Sequence, residues 1–424
     1  MKKIMMTFAA VLCCVATFIL SSCNTNDDIP VNNDDTEQLA DYTIIYYANG
    51  GGNADEYQMP MIGDFYGASA EAYEWVNVVV QYQYSSAENM KKQSLFQDEF
   101  CDEWGSKTVR WAIDPQKNLS SQMGDQENIY GTDNADCTCP DSLTNFINWA
   151  AKNYPAKNYM LILNDHSNGY TPDDELAGHF TAKSLKRAIA NANVRLQTIY
   201  MQSSLMNNLE YQFELKDLCD YMMASTYVMP DDVGTLGLMV EILNAFYNDI
   251  EAGLSTYCSI NVETSEYGFD PETPIYTDLT VTRTTNLDKL GEMMREFTDR
   301  LCDTYTNGTE QQKQLIDNCT KQAVKIDATQ PSYDATKYMA SIMNALPEVY
   351  DDDFVQKMAD TIKSCILAQN FSSYLINHNY IVDYSVLLGI EGSLAPWKST
   401  FDDTYGQLEF DRLVGWSRWI KLNF

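Results

Sequence analysis

Histidine is scarce in this chain. His166, His179 and His378 are the three in 424 residues, so imidazole-dependent chemistry has few candidates. Positive charge is also short, with 28 Lys and Arg against 60 Asp and Glu, a formal charge of −32 and a pI near 4.2. Phosphates would be repelled by such a surface, which argues against a nucleic-acid partner. There is no internal repeat, and no second hydrophobic span follows the one at the amino terminus. The Gly50-Gly-Gly52 cluster lacks both the Gly-Lys-Ser/Thr ending of a phosphate loop and the spaced glycines of a dinucleotide loop. It reads as a strand-to-helix loop at a rim. Cys137-Thr-Cys139 has no neighbouring His or second Cys pair to complete a four-ligand set, so no metal is assigned.

The amino terminus carries a specific signal. Lys2 and Lys3 precede an apolar run, Ile4 to Leu20, which ends in Leu20-Ser21-Ser22-Cys23. A basic start, a short apolar region and small residues at the break describe a signal peptide over residues 1–22. At about 17 residues the run is marginal for a membrane-spanning helix. The Leu-Ser-Ser-Cys ending looks like a lipobox, with Cys23 acylated as the first mature residue. Residues 23–40 are polar, acidic and low in aromatics, a composition that buries no core and reads as a tether. Asp27-Asp28 close behind Cys23 resembles the acidic signal that sends some lipoproteins to the cell surface, so outer-membrane attachment with surface display is the expected location. Eight cysteines remain beyond Cys23: Cys101, Cys137, Cys139, Cys219, Cys258, Cys302, Cys319 and Cys365. An oxidising envelope permits one or two disulfides among them, and the spacing fixes no connectivity.

From residue 41 the pattern is globular, with 45% hydrophobic and 12% aromatic residues in the chain. Tyr42–Ala48, Trp75–Tyr84, Thr108–Ile113, Tyr159–Asn164, Leu196–Met201 and Tyr221–Ser225 read as strands. Asp141–Asn153, Ala182–Asn191 and Asn207–Leu218 have helical periodicity. Strands alternating with helices of this length predict an α/β fold, with a mostly parallel sheet covered on both faces. Beyond residue 235 the pattern turns helical, over Leu236–Ala252, Leu287–Tyr305 and Ala335–Ala345. Leu279–Arg283 and Val382–Ile390 read as strands that extend the sheet. The expected organisation is a core over 41–235 and a helix-rich part over 236–424 that packs on or extends it.

Two central segments carry the chemistry. Leu161-Ile-Leu-Asn-Asp-His166-Ser-Asn-Gly169-Tyr170 and Thr198-Ile-Tyr-Met-Gln202-Ser203-Ser204-Leu-Met206 are both apolar strand-like runs that stop at a polar group. A parallel sheet presents a base and a nucleophile at its carboxyl edge in this way. The first segment, with Asn153-Tyr-Pro155 before it, resembles the run ending in His-Gly-Gly-Gly-Trp of the clostripain family of cysteine peptidases. The second, with Glu210, Glu214-Leu215 and Asp220-Tyr221 behind it, resembles that family's Asp-Ala-Cys-Leu-Met and its following helix. Phe410-Asp411 and Gly415-Trp416-Ser417 resemble the end of its envelope-attached members.

The resemblance implies a caspase-like three-layer α/β/α sandwich with a His–Cys dyad at strand ends. It places His166 on the base, Ser204 on the nucleophile, Gln202 on the aspartate that sets specificity, and Gly169 by the turn that would help hold an oxyanion. Calcium binds some members, with Asp231-Asp232 and Asp351–Asp353 as the acidic loops here; solvated loops are the expected role and no cofactor is assigned. Ser204 for cysteine, Gln202 for aspartate and Ser203 for alanine are the departures. A thiol is held as thiolate by a nearby imidazolium. A serine hydroxyl needs an oriented base hydrogen-bonded to it during attack. Cys219 lies some turns away, too far to substitute. The expected function is therefore a surface-anchored pseudopeptidase whose cleft binds peptide or protein. Its rivals are an active endopeptidase using Ser204 with His166, and a structural or adhesive envelope lipoprotein.

Overall fold

A computed structural model describes residues 39–49, 54–83, 87–92, 102, 107–124, 130–132, 136–167, 180–227, 229, 235–267, 277–324, 326, 333–377 and 405–423. Nine strands form one sheet among them: β1 (Ala40–Asn49), β2 (Val76–Gln83), β3 (Thr108–Ala112), β4 (Tyr130–Thr132), β5 (Ala156–Asn164), β6 (Thr198–Gln202), β7 (Tyr221–Ala224), β8 (Asp278–Arg283) and β9 (Ile366–Phe371). Their order is β4-β3-β2-β1-β5-β6-β7-β8-β9. The pairings β2–β1–β5–β6–β7 are parallel. At each flank the next strand is reversed and the outermost turns back again, so β3 and β8 alone run against the rest.

Side chains alternate across the sheet because successive residues of a strand point to opposite faces. Ile45, Tyr47, Leu161, Leu163, Ile199 and Met201 face one helical layer. Tyr42, Ile44, Tyr46, Met160, Ile162 and Tyr200 face the other. Burial on both faces is why the central strands read as nearly continuous apolar runs. The second face is covered by α1 (Ala54–Asp64), α5 (Leu236–Ala245) and α6 (Ile250–Tyr267). The first is covered by α2 (Pro140–Asn153), α3 (Ala182–Ala190), α4 (Leu209–Leu215), α7 (Leu287–Asn307), α9 (Ala335–Ala345), α10 (Asp352–Cys365), α11 (Glu409–Val414) and α12 (Trp416–Asn423). The helix α8 (Glu310–Lys321) joins that layer mainly through Ile316. This is the three-layer α/β/α sandwich that the family resemblance implies, its sheet covered on both faces as the strand and helix alternation predicts.

Several details differ from the sequence pattern. The helix expected over Leu236–Ala252 is two, α5 and α6, because Phe246–Asp249 forms a turn. Asp249 Oδ1 accepts the backbone N–H of Ala252 at 3.1 Å, capping a new helix start. Asp351, offered as part of an acidic loop, instead caps α10 by accepting the N–H of Phe354 at 2.9 Å. The helices α8 and α10 and strand β9 were not legible in the pattern, whereas the expected strand Val382–Ile390 lies outside the described residues. The seven described cysteines are thiols; Cys101 and Cys23 lie outside the described residues.

The carboxyl-terminal segment is bolted to the first layer. Phe410 stacks obliquely on Phe213 of α4 at 5.5 Å, and Trp419 meets Tyr305 of α7 edge-on at 5.2 Å. Asp411 accepts both the N–H and the hydroxyl of Ser417, at 2.6 and 2.7 Å, which fixes the corner between α11 and α12. Gly415 makes that corner at φ 72°, a left-handed conformation in which a side chain is strained. Gly415→Ala is expected to lower stability by about 1–2 kcal/mol. In urea denaturation the midpoint would fall with the slope unchanged; an unshifted midpoint would show that the corner bears no strain.

Candidate active-site pocket

The pairing of β5 with β6 sets the geometry. Their parallel register puts Asn164 opposite Gln202, so His166 and Ser204, two residues further on, stand side by side at the carboxyl edge. Both line one pocket, together with Tyr57, Gln58, Met61, Asn164, Asp165, Gln202, Ser203 and Met229. The pocket is a small cleft open to solvent. It lies where β1 leads away to β2 and β5 leads to β6, the switch point at which open α/β sheets place their ligands. The two strand tips are tied together, with the Asp165 N–H donating to Ser203 Oγ at 3.3 Å. Asp165 Oδ1 in turn accepts the backbone N–H of His166 at 2.7 Å.

The turn after β6 is strained. Leu205, directly behind Ser204, has φ 63° and is the one non-glycine residue with positive φ among the described residues. Such a conformation costs about 1–3 kcal/mol and persists where its surroundings enforce it. Here the Leu205 N–H donates to Tyr227 O at 3.1 Å, the Asn207 N–H donates to Ser225 O at 2.9 Å, and Asn208 Nδ2 donates to Leu205 O at 3.1 Å. The bend Ser225–Tyr227 that receives two of these bonds is itself held by one carboxylate. Asp278 Oδ1 accepts from Ser225 Oγ, Thr226 N–H and Tyr227 N–H at 2.8, 2.8 and 3.0 Å. Burial raises the Asp278 pKa to about 6, against those hydrogen bonds, which lower it.

Ser204 is half-buried, and its Oγ accepts the backbone N–H of Met229 at 3.1 Å. Gln202 is buried and accepts from Asn164 Nδ2 at 2.9 Å. Gln58 reaches the same wall from α1, its Nε2 donating to the backbone oxygens of Asn49 and Asn164, both at 3.0 Å. Cys219 is buried behind α4, outside the pocket lining, and burial pushes its thiol pKa well up, so it offers no replacement nucleophile. Gly169 and Cys23 lie outside the described residues.

The structure thus brings His166, Gln202 and Ser204 together. The sequence reading missed Gln58, Asn164, Met229 and Asp278. Asn164 and Asp278 could have been flagged as polar residues at strand ends; Gln58 and Met229 carry no such signal.

The clostripain family model, peptidase C11, matches residues 46–405. Among solved structures, a secreted C11 cysteine protease from Bacteroides thetaiotaomicron is similar at a TM-score of 0.61 and 12% identity, covering 89% of this chain and 99% of that one. An inactive zymogen C11 protease from Parabacteroides distasonis gives 0.59 and 13%, with 89% and 99% covered. A secreted C11 cysteine protease from Bacteroides thetaiotaomicron, in complex with an irreversible peptide inhibitor, gives 0.58 and 14%, with 89% and 100% covered. No curated protein matches the chain.

The helix α4 that follows the strained turn is wholly buried and clamps the carboxyl-terminal segment. Glu210 accepts from the Tyr405 hydroxyl at 2.9 Å, and Glu214 accepts the Glu409 N–H at 2.7 Å while pairing with Lys186 at 3.2 Å. Burial raises the Glu210 carboxyl from 4.5 to about 8. As pH rises between those values the unfolded chain gives up a proton that the folded chain keeps, so stability falls with rising pH. Glu210→Gln still accepts from Tyr405 but does not ionise. Between pH 4.5 and about 8 the wild type is expected to lose stability relative to this variant in urea titrations. Parallel curves would mean that Glu210 ionises without cost.

Proposed function

The chain belongs to the clostripain family, and from that premise we propose that it is a catalytically impaired peptidase homologue, a surface lipoprotein that binds peptide or protein in its pocket without cutting it. The observation that carries this reading is the engagement of Ser204. The residue at the nucleophile position is a serine, and its Oγ accepts the Met229 N–H at 3.1 Å. A hydroxyl is a far weaker acid than a thiol and attacks only when a base takes its proton in the same step. A family site built to hold a thiolate beside an imidazole is poorly matched to that demand. The pocket itself persists at the strand ends, and one C11 protease of similar fold carries a peptide inhibitor. That supports a peptide or protein as the occupant here.

Attachment rests on the amino terminus. The basic, apolar and Leu-Ser-Ser-Cys23 sequence supports acylation of Cys23 and anchoring in the outer membrane, with the acidic tether of residues 23–40 holding the folded body outside. Among the described residues no helix is long and apolar enough to cross a membrane.

Two measurements check this function. The mature protein, screened against a broad peptide library, is expected to show no turnover beyond that of Ser204→Ala or His166→Ala; activity that either substitution abolishes would establish a working serine peptidase instead. In cells fed labelled palmitate, the wild-type chain is expected to take up label and Cys23→Ser none, while equal labelling of the two would remove the anchor.

A further inference from the structure

Three residues with side-chain amides, Gln58, Asn164 and Gln202, are linked by hydrogen bonds in the pocket wall, Gln58 through the Asn164 backbone oxygen. Both acceptors of Gln58 Nε2 are backbone carbonyls, at 3.0 Å, which fixes the nitrogen end of that amide. Its Oε1 is buried and meets no partner. Asn164, whose backbone oxygen takes one of those bonds, donates from Nδ2 to Gln202 Oε1 at 2.9 Å. That leaves Gln202 Nε2 buried and likewise without a partner. Gln58 and Gln202 are 2% and 3% exposed. The linked set therefore leaves one unused acceptor and one unused donor, both withdrawn from bulk water, where an unmade hydrogen bond is costly.

We infer that this pocket recognises a side-chain carboxamide, that of glutamine or asparagine in a bound peptide. The inference rests on the reading of the pocket as a peptide-binding cleft. A carboxamide carries the complementary pair: its carbonyl accepts from Gln202 Nε2 and its NH2 donates to Gln58 Oε1. An ammonium or guanidinium would satisfy Gln58 but turn N–H against the N–H of Gln202. A carboxylate would do the reverse, and would meet Asp165 in the same lining. An apolar side chain satisfies neither end. The selectivity follows the rule that a site with buried polar groups rejects a ligand that leaves them unpaired.

The test is a binding titration on the mature protein, with peptides that differ at one position between Gln, Asn, Lys, Glu and norleucine in mixed flanking sequence. The Gln or Asn series is expected to bind about tenfold or more tighter than the norleucine series, the ratio set by one or two buried hydrogen bonds. Gln202→Glu, which replaces the donor by an acceptor of the same shape, is expected to move the preference to Lys. Gln202→Met is expected to level the series while keeping residual binding. A Lys or norleucine preference in the wild type, or a Gln preference that survives Gln202→Met, would overturn the inference and leave the peptide-binding cleft standing. Binding of no peptide in any series would overturn both. Circular dichroism melts of each variant separate lost selectivity from lost folding.

Discussion

The site depends first on the register between β5 and β6. Side chains along a strand alternate, so a slip of one residue would exchange every inward and outward position. Here Leu161, Leu163, Ile199 and Met201 are committed to one helical layer, and Met160, Ile162 and Tyr200 to the other. A slip would turn one strand's apolar set toward the wrong layer, and burial on both faces makes any such alternative expensive. The Gln197 N–H to Tyr159 O bond at 2.8 Å closes the entrance of the pair, and the Asn164–Gln202 side-chain bond closes its exit. His166 and Ser204 are neighbours because everything behind them is pinned.

The turn beyond β6 shows a scaffold built to hold a residue out at the edge. Leu205 in a left-handed conformation aims Ser204 into the pocket, and the strain is sustained by bonds to the Ser225–Tyr227 bend. That bend relies on Asp278, at the head of β8. Behind the turn, α4 is clamped through Glu210 and Glu214 to the carboxyl-terminal segment. Supports from β7, β8 and the last helices thus converge on a position whose side chain is a hydroxyl. Geometry and chemistry are separable here. The framework serves to present an atom, and the atom it presents hydrogen-bonds to the Met229 backbone.

Much of this was legible in the sequence where physics is local or strongly periodic. The central strands announced themselves because burial on both faces leaves long runs of Ile, Leu, Val, Tyr and Met. The two polar stops, His166 and Ser204, were visible as interruptions of those runs. What failed to show was set by distant contacts. Gln58 belongs to the site through a bond to a residue 106 positions away, and Asp278 through a partner 53 positions away. The break between α5 and α6 is a capping event at Asp249, which an apolar count from 236 to 252 passes over. Strand β9 follows α10 directly, with no turn residues between Cys365 and Ile366 to mark the change. The meaning of Glu210 and Glu214 was likewise hidden, since acidic residues in an acidic chain read as surface until a buried partner is seen.

Charge supplies the last constraint. A chain at −32 has a field that draws cationic partners from any direction, and such a field governs encounter more than discrimination. In the desolvated wall the amides of Gln58, Asn164 and Gln202 stand together, and among the described residues no lysine or arginine contributes to the lining. A carboxylate at position 202 would align wall and field, so that a basic side chain would be both attracted and held. With Gln202 there the two are uncoupled. The surface still gathers positive charge, while position 202 offers the pocket an amide, with Asp165 the one carboxylate among the described lining residues. Binding at this edge should therefore respond to salt mainly through the rate of association, and to the chemistry of a single side chain mainly through the rate of release.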